Sequence, residues 1–171
     1  ARTASDLQQA RLRLREQEQL DYDLSLARRI QEGILPNQTP ELKGWDLAAV
    51  WQPARTVSGD FYDFIPLGSG RLAIVIGDVT GKSVPAALLM TVVCTVLRTL
   101  ASEAESPGVL LTRANDLLYP VMPMSMFATC HVSVLDLVSG HLTFANAGHC
   151  LPLHLHRDRS SELRTTGFPV G

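Results

Sequence analysis

Polar and apolar positions divide the chain into a charged, Gln-rich first fifth and a remainder of short apolar runs separated by Gly, Pro and Asp. Ser5-Asp6-Leu7-Gln8 reads as a helix N-cap with Gln three residues on, and no Gly or Pro follows until Gly33 and Pro36. A helix from there to about Leu35 is roughly 40 Å long at ~1.5 Å per residue. Leu20, Leu24, Ala27 and Ile34 fall at heptad spacing with Gln31 in one slot, whereas Leu7, Ala10 and Leu14 follow a second register. Such a helix either lies solvated on its own domain or pairs as a coiled coil. The polarity of Leu7–Leu20 points that part to a dimerising linker, with Leu7, Leu14, Leu20 and Leu24 as contact positions. Ala27–Leu35 is expected to dock on the domain.

The rest alternates between strand and helix patterns. Trp45–Trp51 is expected to be a first strand, entered from the loop Pro36–Gly44 and closed by Pro53. Val57–Phe64 and the β-branched run Leu72–Val79, joined by a Gly-rich turn, predict a hairpin. Pro85 suits a helix's first turn. Ala86 to about Ala104 is apolar on nearly every face, which predicts a buried helix, with Met90 and Cys94 as core residues. Ser106-Pro107 starts a second helix to about Tyr119. Phe127–Leu135, His141–Ala147 and Leu151–His156 read as strands, with a turn at Asp136–Gly140 and a polar loop at Arg157–Ser161. Strands, two helices, then strands with antiparallel pairing predict an α+β layered domain.

Composition narrows the class. At 171 residues and 46% hydrophobic, the chain can bury the core of one domain, and it divides as a linker over 1–35 and a domain over 36–171. A net charge of −2 offers no basic field for nucleic acid. No apolar run is read as reaching the length of a membrane span, and there is no signal-peptide pattern. Cys94, Cys130 and Cys150 are odd in number and lack zinc spacing, so they read as buried free thiols in a reducing cytoplasm. The chain starts on Ala and enters a helix at once, which reads as a piece of a longer protein.

The chemistry concentrates in the hairpin. Folding Val57–Phe64 back on Leu72–Val79 brings Asp60 and Asp78 to one end, each preceded by a glycine, Gly59 and Gly77, that permits close approach. Two carboxylates at a sheet rim either share a divalent cation or serve as a turn residue and a surface charge. The Val79 carbonyl is a further oxygen within reach of such an ion. Asp63, three residues from Asp60 on a strand, points to the opposite face, where a salt bridge or turn bond is expected. Lys82 is either a point charge for a phosphate or a solvated loop lysine. His154 and His156 share a strand face without a carboxylate nearby, which makes a poor zinc site, and His131 and His141 are expected to face solvent. His149, after Gly148, is either a general acid or a turn histidine bonding backbone.

The segments Gly59-Asp60-Phe61-Tyr62-Asp63, Gly77-Asp78-Val79-Thr80-Gly81-Lys82, Val84-Pro85-Ala86-Ala87-Leu88 and Asn146-Ala147-Gly148-His149 resemble the bacterial PPM-type (type 2C-like) serine/threonine phosphatases. Among these they are most similar to the SpoIIE/RsbU subfamily, which dephosphorylates anti-sigma-factor antagonists. The likeness runs from about Ala27 to Gly171, with Ser83 where the family usually has glycine. It implies a β-sandwich flanked by helices and a site for two manganese or magnesium ions held by Asp60, Asp78 and the Val79 carbonyl, with Asp78 as a bridge. It places His149 near that site. It also implies a phosphorylated regulatory protein as substrate, a sensor domain before the linker, and further metal-binding aspartates after Gly171. On this basis residues 1–171 alone are expected to hold at most one ion weakly and to turn over little. A catalytically silent, dimeric signalling module on the same fold is the competing expectation.

Overall fold

The computed structural model describes residues 2–53, 56–81 and 84–171. Helix α1 spans Arg2–Ile34; strands β1 (Asp60–Gly68) and β2 (Arg71–Val79) follow, then helices α2 (Val84–Ala101) and α3 (Pro107–Leu118). Strands β3 (Ala128–Asp136), β4 (Leu142–Ala147), β5 (Leu153–His156) and β6 (Arg159–Glu162) complete the order. Strands β1 to β4 form one antiparallel sheet in sequence order, and β5–β6 form a separate ribbon. The fold is the α+β arrangement expected, an antiparallel sheet with helices on one face.

The alternation of the strands decides which face is covered. Phe61 and Ile65 on β1, Ala73, Val75 and Val79 on β2, and Ala128, Cys130 and Val132 on β3 turn to the helices and are buried. There they meet Ala86, Met90, Val93, Cys94 and Leu97 of α2 and Leu110, Ala114 and Leu118 of α3. Each fully buried large apolar side chain in this layer contributes about 1.5–3 kcal/mol. The opposite face carries Asp60, Tyr62 and Phe64 beside Asp78, Ile76 and Ile74, then Thr129, His131 and Ser133. Helix α3 starts as expected: the Ser106 side chain accepts from the Val109 N–H and Pro107 fills the first turn.

Several expectations are corrected. Trp45–Trp51 is not a strand: a strand is defined by its ladder, and no described residue offers one to 46–51. Two indoles pin this segment instead. Trp45 Nε1 donates to the Leu137 carbonyl at 3.2 Å and Trp51 Nε1 to the Asp60 carbonyl at 2.9 Å. Helix α1 begins at Arg2, so Ser5 lies inside it rather than capping it. Helix α2 is itself long and apolar enough to cross a membrane by length and composition, contrary to the reading that no run reaches that length. It nonetheless buries seven residues from Ala86 to Ala101 against the sheet and α3, while Leu88 and Val92 on its outer side stay exposed. The polar stretch Arg159–Glu162 is a strand after all, because the two-residue turn Arg157-Asp158, with Arg157 at φ 50°, folds it onto β5. Cys94 and Cys130 are buried free thiols as expected, and Cys150 is exposed.

His131 is corrected too. It is buried, with Nε2 2.8 Å from Ser133 Oγ and its ring against Phe144. Nδ1 is buried without a hydrogen-bond partner, and burial pushes the imidazole below its ordinary pKa. Alternation alone put it outward, because polar and apolar side chains are mixed on this sheet face. His141 is exposed.

Candidate active site

Strands β1 and β2 pair in a register that sets Asp60 directly opposite Asp78, so both side chains leave the same face at the same end of the sheet. Both residues are exposed. The glycines before them serve the close approach of the strands to one another. A Cβ at Gly59 would meet the Val79 carbonyl and lie 3.0 Å from Asp78 Oδ1, and one at Gly77 would meet the Phe61 ring and lie 2.6 Å from the Thr129 carbonyl. The Val79 N–H donates to the Gly59 carbonyl at 3.2 Å, which keeps the Val79 peptide at the carboxylate end.

Ser58 orients Asp60. Its hydroxyl donates to Asp60 Oδ2 at 2.9 Å and accepts from the Asp60 N–H at 3.1 Å. Ser58 is held in turn by α1: Gln31 Nε2 donates to the Ser58 carbonyl at 2.8 Å, and Gln31 Oε1 accepts from the Ser58 N–H at 3.1 Å. Gln31, read only as an occupant of a heptad slot, is 3% exposed and ties α1 to the loop that carries Asp60. Leu35 is buried beside it, so the end of α1 docks on the domain as expected.

His149 completes this end. The Asn146 side chain accepts from the His149 N–H at 2.7 Å and donates to its carbonyl at 2.9 Å, closing the turn at Gly148, where φ is 69°. The ring's Nδ1 lies 2.9 Å from Thr129 Oγ1, and Thr129 Oγ1 is 3.4 Å from the Asp78 carbonyl. His149 lines, with Asp60, Tyr62, Ile76 and Trp51, a cavity of about 610 Å³. Burial pushes its pKa down while the Asp78 and Asp60 carboxylates pull it up, and the net direction is down.

The remaining candidates lie apart. Asp63 turns to the helix face, where its carboxylate is paired with Arg98 at 2.7 Å, and Arg98 also donates to the Ile34 carbonyl at 2.8 Å. This is the structural role expected. His154 and His156 stack on exposed β5 with ring centroids 6.4 Å apart. Lys82, with Ser83, lies outside the described residues. Among the described residues no group of three or more His, Cys, Asp or Glu side chains is arranged to hold an ion. The pair Asp60–Asp78 with the nearby Val79 carbonyl is an all-oxygen set that fits part of the shell of a hard divalent cation. Like charges directly opposite across two strands repel, and a bound cation would turn that repulsion into attraction. Ser58 and Thr129 are not singled out from sequence, and Asn146 enters there only as a motif neighbour of His149. Ser58 had a local signal, a hydroxyl two residues before Asp60, but Thr129 becomes visible only once β3 is set against β2.

A sequence model of the Stage II sporulation protein E (SpoIIE) family matches residues 68–171. The chain is 37% identical to protein IcfG of Synechocystis over 87% of its own length and 28% of that protein's. It is 29% identical to the phosphoserine phosphatase RsbU of Bacillus subtilis over 78% of its length and 39% of that protein's. It thus spans about a third of the curated relatives it matches. The SiaA-PP2C domain of Pseudomonas aeruginosa superposes with a TM-score of 0.73 at 20% identity, over 91% of this chain and 64% of that one, a likeness of fold. The chain belongs to the SpoIIE family of bacterial PPM-type phosphatases, the kin of RsbU.

Proposed function

We propose that this protein is a metal-dependent phosphatase that hydrolyses phosphoserine or phosphothreonine on a regulatory protein, of the anti-sigma-factor antagonist type. The observation that carries this is the opposed pair Asp60–Asp78 at an exposed sheet end, with His149 lining the same cavity as Asp60 and linked through Thr129 Oγ1 to the Asp78 carbonyl. The similarity to a phosphoserine phosphatase agrees. Asp60, Asp78 and the Val79 carbonyl would hold manganese or magnesium, which supplies a nucleophile at neutral pH and positive charge for the phosphoryl oxygens. Ser58 fixes the Asp60 carboxylate, and Lys82 is the candidate point charge for the substrate phosphate. His149 protonates the departing serine oxygen. The test is manganese-dependent release of phosphate from a phosphoserine protein by the full-length protein. Tight binding of the phosphoprotein without turnover in any divalent metal would favour a silent signalling module.

Two carboxylates and one carbonyl leave most of a six-oxygen shell to water. Residues 1–171 alone are therefore expected to bind at most one manganese ion weakly in a calorimetric titration. Tight uptake of two ions by that piece would show that the site lies elsewhere.

The linker reading also stands as a proposal. Leu7, Leu14 and Leu20 are more than half exposed, and Leu24 is half-buried. We expect Leu7–Leu20 to pair with the same helix of a second copy below a sensor domain. Light scattering at micromolar concentration should give a dimer that becomes a monomer when residues 1–20 are removed; a monomer in both cases would rule the pairing out.

A further inference from the structure

We infer that Thr129 is a positioning residue for His149, holding its ring by Nδ1 so that Nε2 is the nitrogen that exchanges a proton with the substrate; the inference rests on the phosphatase reading. Thr129 is the second residue of β3, opposite Asp78 in the β2–β3 register and on the face that carries both carboxylates. Its hydroxyl lies between two groups, 2.9 Å from His149 Nδ1 and 3.4 Å from the Asp78 carbonyl oxygen.

A hydroxyl in that place can serve both protonation states of the imidazole, because it is one donor and two acceptors on a rotor. Against a bare Nδ1 it donates. Against the Nδ1–H of an imidazolium it accepts, and its own proton turns to the Asp78 carbonyl. A carboxylate could not donate in the first state, and an ammonium could not accept in the second. Asn146 meanwhile fixes the His149 main chain at both its N–H and its carbonyl, so main chain and ring are held by separate elements, β4 and β3. With Nδ1 committed, Nε2 remains for the phosphoester.

In the reaction, a water oxygen forms the new bond to phosphorus as the bond to the serine Oγ breaks. The electron pair of the broken bond stays on Oγ and takes the Nε2 proton of the imidazolium. One proton of the water stays on the phosphate and the other restores the imidazolium, leaving seryl hydroxyl and hydrogen phosphate. Thr129 acts at the step where Oγ takes its proton, so its importance depends on how badly the leaving oxygen needs one.

The experiment compares Thr129→Val, which keeps the branched shape, with Thr129→Ser, which keeps the hydroxyl, in the full-length protein. Outer partners of metal-ligating histidines are worth about 10–100-fold, and a loss of that order is expected for the partner of this proton-carrying one. Thr129→Val should lose that much turnover on a phosphoserine protein and far less on p-nitrophenyl phosphate, whose phenolate departs without a proton. Thr129→Ser should restore most of the difference. In the metal-free protein, the nitrogen-15 resonance of His149 Nδ1 should move in Thr129→Val and stay in place in Thr129→Ser. Equal losses on both esters, or an unmoved Nδ1 resonance, would overturn the role. If the unaltered protein turns over neither ester, the phosphatase reading fails, and the Nδ1 resonance alone decides whether Thr129 holds the ring.

Discussion

Asp78→Asn should lower phosphate release from a phosphoserine protein about a thousandfold while leaving the metal-free protein folded. The loss follows from what the carboxylate does. Ion-assisted stabilisation of a phosphoryl transition state is worth several kcal/mol, and each ~1.4 kcal/mol is tenfold in rate. Asn keeps one oxygen but loses the charge, so manganese affinity should fall with turnover. Asp78 is exposed at the sheet end, outside the buried core, so the fold should survive the change. A thermal melt without metal should therefore still show one cooperative transition. A near-normal rate in Asp78→Asn would sink the site assignment, and a collapsed melting curve would mean that the carboxylate serves the fold.

Gln31→Leu should be the most costly single change in α1. The leucine fills the same space but leaves the Ser58 N–H and carbonyl buried without their partner. Each orphaned group costs about 1–3 kcal/mol. Ala87, the third contact of the amide at 3.3 Å, still accepts from Thr91 Oγ1 and so adds little. For a chain of this size each kcal/mol lowers the melting temperature by about 2–4 °C. Hydrogen exchange at the Ser58 amide should speed up, and turnover should fall with it, because the Ser58 hydroxyl orients Asp60. If exchange at Ser58 and the melting temperature are both unchanged, α1 is not anchored through this side chain.

What could be read before the fold was known depended on whether the cause was local. The Asp60–Asp78 pairing followed from a Gly-bounded apolar run and a short turn, and Asp63 followed from the period of a strand. The Ser106 cap announced itself within four residues. Trp45–Trp51 has strand composition, but a strand requires a partner, and composition does not supply one. His131 and Ser133 occupy positions where alternation predicts exposure, and only the neighbouring Phe144 and Asn146 show why both are buried. The polarity of Arg159–Glu162 hid a strand because β5–β6 is exposed on both faces and needs no apolar side. At the site, the residues with motif neighbours were found, and those that act across strands or from a distant helix were not. Thr129 and Gln31 are of the second kind.

Helix α1 has a mechanical consequence. Its 33 residues make a rod of about 50 Å at ~1.5 Å per residue. Residues 6–23 are exposed, and the firm attachment is confined to the last turns, at Gln31, Ile34 and Leu35. With Ile34 as the pivot, the arm to Leu7 is about 40 Å and the arm to Gln31 about 4.5 Å at ~1.5 Å per residue, a ratio of about nine. A sideways force near Leu7 therefore arrives at the Ser58 loop multiplied, while an ångström of travel there requires about 9 Å near Leu7. The fulcrum is the clamp of Arg98 on the Ile34 carbonyl, and the first group to feel the torque is the peptide of Ser58, one residue from Gly59 and two from Asp60.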